Sequence, residues 1–206
     1  MPTNIELRIS ELLAARLCHE LAGPITGLAN AADLLSEPGS ELDPETLALL
    51  DESAQRAGNR LQFYRFAYGF GHGGPMVGSA PNELATRVFE GARIACDYGE
   101  SARLLPLDWQ KLACNLLLTG AEALSRGGNL VLTAGHAGLD LEAIGEFAAL
   151  SPETSAALSL ATPIAALTSR TVQAYFTGLL AEALGSRLVR SGGPRRVRLS
   201  AIALAG

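Results

Sequence analysis

The sequence predicts an α+β protein in which an N-terminal antiparallel helical hairpin forms a dimeric four-helix bundle and a C-terminal α/β sandwich follows. Two long segments with helical periodicity, residues 4–36 and 44–70, open the chain. A stretch rich in glycine and proline, residues 69–81, follows them as a linker. Shorter helical segments then alternate with apolar strands. We therefore predict two domains, residues 1–74 and 75–206.

The first helix has one buried stripe and carries a histidine on the opposite side. With His19 at the zero of a helical wheel, a set of leucines lies within about 60° of the opposite pole: Leu13, Leu17, Leu21, Leu28 and Leu35. His19 is therefore expected to face solvent. Pro24 removes a backbone donor and frees the carbonyl of Glu20, which permits a bend. The sequence Glu37-Pro38-Gly39 predicts the helix end.

The second helix is predicted to begin at Pro44 with Asp43 as its N-cap. Its apolar or small positions alternate in steps of three and four, which is the heptad pattern of knobs-into-holes packing: Leu47, Leu50, Ala54, Ala57, Leu61, Tyr64 and Tyr68. A single hairpin cannot bury both stripes. Two hairpins paired into a four-helix bundle can, which predicts a homodimer.

The C-terminal part is predicted to place helices on one face of a mixed or antiparallel sheet. Its expected helices are residues 82–95, 108–124 with Asp108 as cap, 152–160 and 170–184. A short apolar stretch covers residues 102–107, and the expected strands are residues 130–134, 141–148, 187–190 and 196–203.

Composition excludes several classes of function. The formal net charge of -5 argues against nucleic acid or an anionic membrane as the main partner. No apolar run is long enough to span a bilayer, and the N-terminus lacks the apolar core of a signal peptide. The three cysteines, Cys18, Cys96 and Cys114, have no paired spacing, so we expect reduced thiols in a cytoplasmic protein with no metal site.

The face around His19 is the candidate functional surface. A neutral imidazole is a competent nucleophile, and the adjacent Glu20 is predicted to orient it. The side chains sharing this face are small, so a partner protein could approach the helix closely, with a supporting contact from the second domain. The predicted partner-binding residues are Ala15, Arg16 at the edge of the face, Ala22, Gly23 and Thr26. His72 and His136 lie in expected loops and are interpreted as solvated surface residues.

At these residues the sequence resembles the dimerisation and phosphotransfer domain of two-component histidine kinases. His19-Glu20-Leu21 followed by Pro24-Ile25 matches the family's His-Glu-Leu-x-x-Pro-Leu box in spacing. The resemblance implies that His19 accepts a phosphoryl group and that Glu20 orients it. Two positions depart from the family pattern: Ala22 replaces a basic residue, and Gly23 replaces the Thr or Asn associated with phosphatase activity.

The C-terminal part resembles the kinase ATP-binding domain without its nucleotide motifs. Residues 111–128 look like the asparagine-box helix, but Thr119 stands where a second asparagine would hold Mg²⁺. The glycine-rich loops that bind adenine and phosphates do not follow residue 128, and Asp97-Tyr98-Gly99 precedes the helix instead. Asn115 is therefore interpreted as a scaffold residue, with no ATP binding expected.

A histidine-bearing hairpin joined to such a domain resembles the ChpT-type histidine phosphotransferases, on residues 15–35, the asparagine-box-like helix and residues 170–189. The resemblance implies a dimeric cytoplasmic relay without a cofactor of its own, since the receiver partner supplies Mg²⁺. It would take a phosphoryl group from the receiver aspartate of a CckA-like hybrid kinase. It would pass that group to CtrA-like and CpdR-like response regulators.

Two alternatives remain open at the level of sequence. One is an autophosphorylating histidine kinase with a divergent ATP site, which saturable ATP binding would support. The other is a non-catalytic dimeric scaffold that only docks receivers. The carboxylate beside His19 and the low surface around it favour catalysis over docking alone.

Overall fold

In this computed structural model, the structure describes residues 4–36, 43–69, 79–136 and 138–204. Most of the predicted linker and His72 lie outside the described residues. The helices are α1 (Asn4–Ser36), α2 (Pro44–Tyr68), α3 (Pro81–Phe89), α4 (Glu100–Arg103), α5 (Leu107–Glu122), α6 (Pro152–Leu158) and α7 (Val172–Ala183), with a short 3₁₀ turn at Ile164–Ala166. The strands are β1 (Ile94–Tyr98), β2 (Gly128–Gly135), β3 (Gly138–Ile144), β4 (Ser186–Gly193) and β5 (Arg196–Ala203). The predicted α+β fold class is confirmed.

The helical hairpin has the ends that its local sequence predicts. The carboxylate of Asp43 accepts a hydrogen bond from the Thr46 amide at 2.8 Å, and Pro44 occupies the first turn of α2. The two helices approach closely at Gly27, where an added Cβ would lie 2.7 Å from Ser53 Oγ. Glycine at this position therefore lets α2 pack directly against the backbone of α1.

The helix α1 continues through Pro24 instead of stopping there. Pro24 cannot donate to the carbonyl of Glu20, four residues earlier, as the sequence predicts. The guanidinium of Arg60 on α2 supplies the missing donor, because its Nη1 lies 2.8 Å from that carbonyl oxygen. A side chain of the neighbouring helix thus compensates for the proline and keeps the His19 segment helical.

The sheet is mixed, with strand order β1-β2-β3-β5-β4. Strand β1 pairs parallel with β2, whereas the other neighbours are antiparallel. Alternate residues of β3, Leu139 and Leu141, are buried beneath the helices, while Asp140 and Glu142 form ion pairs on the other face. The prediction of helices on one face of a mixed or antiparallel sheet is confirmed by this alternation, and the parallel pair of β1 and β2 makes the sheet mixed.

Three predicted elements in the C-terminal part were wrong in their bounds. The helix expected over residues 82–95 ends at Phe89, because the chain turns at Gly91 with φ of +69° and then forms β1. Asp108 is not the cap of α5: Pro106 holds that position, and Asp108 lies in the first turn. The strand expected over residues 141–148 begins at Gly138 and ends at Ile144.

The hairpin and the C-terminal part share one hydrophobic core. Leu12 of α1 and Phe63, Tyr64 and Ala67 of α2 are buried in the same cluster as Leu116 of α5. The predicted heptad seam on α2 is therefore divided: Tyr64 packs within this chain, whereas Leu47 and Leu61 remain exposed. The boundary between residues 74 and 75 lies outside the described residues and stays a prediction.

Candidate functional site

His19 is exposed on α1, on the face that the helical periodicity predicts. The small residues expected beside it are also exposed: Ala15, Ala22, Gly23 and Thr26. Apart from its chain neighbours and the backbone of α1, an added Cβ at Gly23 would meet no atom within 4 Å, so the surface beside the imidazole is open. The structure therefore brings these predicted site residues together on one face of α1, where the side chains around His19 are small.

Glu20 forms the link between this helix and α2. Its Oε2 lies 2.9 Å from Arg60 Nη1, the same nitrogen that donates to the Glu20 backbone carbonyl. One guanidinium thus holds both the side chain and the backbone of the residue that follows His19. Sequence reasoning missed Arg60, because the residues are forty positions apart and only the packing of α1 on α2 joins them. The orienting role of Glu20 remains a prediction.

Arg16 does not lie at the open edge of the His19 face, where it was expected. Its guanidinium is 2.8 Å from Glu122 Oε1 at the end of α5, and its side chain is only 12% exposed. Burial raises the pKa of Glu122 to about 7, although the attraction of Arg16 opposes this shift. Arg16 therefore joins the hairpin to the C-terminal part and is not free to meet a partner protein.

Comparisons with known proteins place this arrangement in a family. The model of the histidine phosphotransferase C-terminal domain matches residues 80–193, which is more than half of the 206-residue chain. Over 189 residues the sequence is 33% identical to the protein phosphotransferase ChpT of Brucella abortus (strain 2308), covering 88% of this chain and 89% of that protein. The chain belongs to the histidine phosphotransferase family.

A solved structure agrees with this assignment. The phosphotransferase superposes on a bacterial phosphotransferase structure determined at 1.7 Å with a TM-score of 0.80 and 29% sequence identity, and 98% of each chain is covered. The chain is thus a protein phosphotransferase with a phosphorelay function. Neither the autophosphorylating kinase nor the non-catalytic scaffold is favoured by these relatives.

In this phosphotransferase, the helix that resembles the kinase asparagine box is buried over residues 112–120. Asn115 is buried, and its Nδ2 donates to the carbonyls of Ala67 at 2.8 Å and Lys111 at 2.9 Å. Its Oδ1 accepts from Gln173 Nε2 at 3.0 Å. Each polar atom of the Asn115 side chain therefore bonds to the protein itself. This amide fastens α5 to the end of α2 and to α7.

The same network continues to the hairpin and across to α7. Tyr68 donates its hydroxyl to Gln173 Oε1 at 2.6 Å, and Thr119 Oγ1 lies 2.9 Å from Thr177 Oγ1. Thr119 and Thr177 are both buried. Fully satisfied buried networks hold their helices in a single arrangement. Tyr68 was predicted on the heptad seam of α2, and its bond to Gln173 was missed because the two residues are 105 positions apart.

The cysteines and His136 were not predicted to take part in the chemistry. Cys18 is an exposed free thiol, Cys96 is half-buried and Cys114 is buried, and His136 is exposed in the turn between β2 and β3. Burial raises the pKa of the Cys96 thiol to about 12. Within the part of the chain that the structure describes, no group of three or more acidic, cysteine or histidine side chains could hold a metal ion. No described helix is long and apolar enough to cross a membrane.

Proposed function

We propose that His19 is the residue that carries the phosphoryl group, and that the protein relays it between the receiver aspartates of a hybrid histidine kinase and of response regulators. The observation that carries the proposal is the exposure of His19 on a face of small side chains, one residue from the Glu20–Arg60 pair. A nucleophile that must reach an aspartate inside another protein needs small, exposed neighbours, because they let the partner approach the helix closely.

The transfer is a displacement at phosphorus. A neutral imidazole nitrogen of His19 attacks in line, and a P–N bond forms as the bond from phosphorus to the aspartate oxygen breaks. The electron pair of the broken bond returns to the aspartate carboxylate. The reverse displacement passes the group to the next receiver. Mg²⁺ bound by the receiver stabilises charge on the phosphoryl oxygens, and the rest of the catalysis is positioning.

Glu20 and Arg60 are the positioning pair in this proposal. The carboxylate of Glu20 orients the imidazole and selects its tautomer. Arg60 fixes Glu20 through the contacts to its side-chain and backbone oxygens. Held in this way, Glu20 loses less freedom when the partner docks, which favours the reactive geometry.

The docking face comprises Ala15, Ala22, Gly23 and Thr26. Arg16 is left out because Glu122 holds it inside the protein. The donor is the receiver of a CckA-like hybrid kinase, and the acceptors are CtrA-like and CpdR-like response regulators. These partners act in the cytoplasm, which is where we expect this protein to act as well.

The phosphotransferase takes its phosphoryl group from an aspartate and not from ATP. The bonds from Asn115 to Ala67, Lys111 and Gln173 support this part of the proposal, since an amide committed in this way is not available to a metal ion. Calorimetry with Mg-ATP should show no saturable binding in the micromolar range. Labelling of the protein from ATP alone would contradict it.

We infer that a homodimer covers the apolar side chains that the hairpin leaves exposed. Leu47 and Leu61 of the heptad seam and Leu7 and Ile25 of α1 are large apolar side chains that remain exposed in the single chain. Leu7 and Ile25 lie five helical turns apart and therefore on the same side of α1. A second copy of the hairpin would cover both surfaces in a four-helix bundle and leave the His19 faces outside.

Phosphoryl transfer from a labelled hybrid-kinase receiver tests the assignment of His19. The wild-type protein should become labelled, and His19→Ala should abolish the label without loss of stability, because the side chain is exposed. The matched control is His136→Ala, which removes another exposed imidazole and should label normally. Full labelling of His19→Ala would overturn the proposal.

A bulky side chain on the docking face tests how the partner approaches. Thr26→Trp should reduce transfer from receivers by about 100-fold or more while His19 still reacts with phosphoramidate, a small phosphodonor. Thr133→Trp, on the open face of the sheet, serves as the control and should transfer normally. Wild-type transfer by Thr26→Trp would require another docking face.

A further inference from the structure

A groove lined by three arginines lies beside the helical turn that carries His19. Arg56, Asn59 and Arg60 of α2 form one wall, and Arg87 with the chain after α3, including Gly91, forms the other. The groove encloses about 150 Å³. It is open to solvent and joins the histidine-bearing hairpin to the C-terminal part of the chain.

The groove connects directly to the candidate site through Arg60. The same guanidinium that lines the groove contacts both oxygen groups of Glu20, the residue after His19. On the far side, Gly91 has φ of +69° and turns the chain towards Arg56, whose Nη2 lies 4.0 Å from the position a Cβ would take. A protein seated on His19 therefore has this groove at the edge of its contact surface.

The arginines keep donors available for another molecule. Their carboxylate partners, Glu52, Glu20 and Glu83, lie outside the groove lining, and each recorded ion pair uses a single guanidinium nitrogen. The pair from Arg87 to Glu83 is long, at 4.0 Å. The pairs of Arg56 and Arg87 are exposed and contribute little stability, so these two guanidinium groups can exchange partners at low cost, whereas Arg60 stays bound to Glu20. Glu90 is the acidic residue in the lining.

The side chains that line the groove carry three positive charges and one negative charge, that of Glu90, and the three glutamates paired with the arginines lie outside the lining. The chain carries a formal net charge of -5, so an acidic partner is repelled by the average surface and attracted where arginines cluster. An aspartate that is phosphorylated with the help of Mg²⁺ needs further carboxylates to hold the ion. A phosphoryl donor or acceptor of this chemistry therefore presents an acidic surface to His19.

We propose that Arg56, Arg60 and Arg87 form a second contact that binds acidic side chains of the protein docked on His19. This inference rests on the proposed function and identifies which part of the C-terminal region meets the partner. Guanidinium groups suit the task, because each can hold a carboxylate through two parallel hydrogen bonds. The contact sets the association rate and the orientation of the partner, while His19 performs the chemistry.

The double variant Arg56→Ala/Arg87→Ala tests the groove and leaves Arg60 in place. At low salt, kcat/KM for transfer from a phosphorylated receiver should fall at least 10-fold, and the salt dependence of the wild-type rate should be largely lost. Arg56→Lys/Arg87→Lys should recover part of the rate because it restores the charge. Labelling of His19 by phosphoramidate should be the same in all of these proteins.

Arg196→Ala/Arg198→Ala is the matched control. The two side chains are 54% and 45% exposed and ion-paired on the open face of the sheet, against 57% for Arg56 and 45% for Arg87, so the control removes the same number of charges elsewhere. Wild-type kcat/KM in the Arg56→Ala/Arg87→Ala variant, or an equal loss in Arg196→Ala/Arg198→Ala, would overturn the groove contact. If the wild-type protein accepted no phosphoryl group from any receiver, the proposed function itself would fail.

Discussion

The hairpin and the C-terminal part differ in how far their apolar residues are buried. In the hairpin, Leu47, Leu61 and Ile25 are each exposed to about half of their area. In α5, by contrast, every residue from 112 to 120 is buried, including the polar Asn115 and Thr119. The hairpin is an incomplete core, whereas the C-terminal part has its core already closed.

The difference separates two tasks. An incomplete apolar surface and an open nucleophile suit a region that must meet other protein surfaces. A closed core with satisfied polar groups suits a region that holds helices in place. The helix that resembles an ATP-binding element has been packed into such a core. The buried network from Tyr68 to Thr177 then joins the two regions.

The largest effect is expected from a charge placed on the incomplete core. Leu61→Asp would bury an unpaired carboxylate in the proposed dimer, which costs several kcal/mol. Sedimentation should show the wild-type protein as a dimer at micromolar concentration and Leu61→Asp as a monomer. Leu104→Asp changes a leucine that is 83% exposed outside the hairpin and should stay dimeric. A monomeric wild-type protein would contradict the four-helix bundle.

A smaller loss of stability should follow from removing one side chain of the buried hydrogen-bond network. Asn115→Ala removes the side-chain donor from the Ala67 carbonyl, at about 1–3 kcal/mol for a buried group left unsatisfied, and also removes the shortest hydrogen bond of Gln173 Nε2. Urea unfolding should report the lost stability. Asn129→Ala, at an exposed position of β2, should change stability by less than about 0.5 kcal/mol. Equal stability of the two variants would mean that the network does not join the regions.

The contact between the regions should depend on pH through Glu122. Its pKa is raised to about 7 in the folded protein from an ordinary value of 4.5. Between these values the folded state holds a proton that the unfolded state has lost. The free energy of unfolding should therefore fall as pH rises through this window, by up to about 1.4 kcal/mol per pH unit, and the contribution is fully present below it.

Glu122→Gln isolates this effect, because glutamine keeps the size of the side chain and does not titrate. The difference in unfolding free energy between wild type and variant should change across the window from about pH 4.5 to pH 7. Carboxyl groups whose pKa is lowered, such as Asp43 and Asp140, act in both proteins and cancel. A constant difference across that window would show that Arg16 keeps Glu122 ionised.

The smallest effects are expected from a glycine-to-alanine substitution made once in each region. Gly58→Ala adds a methyl group within α2 at a position where no packed neighbour lies within 4 Å, and it should stabilise the protein by about 0.5–1 kcal/mol. At Gly120 the same change would place Cβ 2.5 Å from Leu141 Cδ2, so it should destabilise by about 1–3 kcal/mol. Thermal unfolding measures both. The same sign at both positions would remove the distinction between open and closed packing.

The parts that sequence reasoning predicted correctly depend on neighbours along the chain. The N-cap at Asp43 and the exposure of His19 follow from residues within a few positions of each other. The end of α3 was predicted wrongly because it depends on a backbone conformation that the sequence permits but does not impose. Gly91 adopts a left-handed conformation that glycine permits but does not require, so the end of α3 was placed too late.

The sequence by itself determined the hairpin, the exposed histidine and the small side chains around it, since caps and hydrophobic periods act over one or two turns. It left open whether the sheet was mixed or antiparallel, and the parallel pairing of β1 with β2 decided that point. Only the tertiary structure decided that Arg60 donates a hydrogen bond to the Glu20 carbonyl, which Pro24 leaves without a backbone donor. It also decided that Arg16 pairs with Glu122 and does not lie on the docking face. It also decided that arginines from two regions line one groove. These contacts join residues far apart in the chain, and their geometry exists only once the helices have packed.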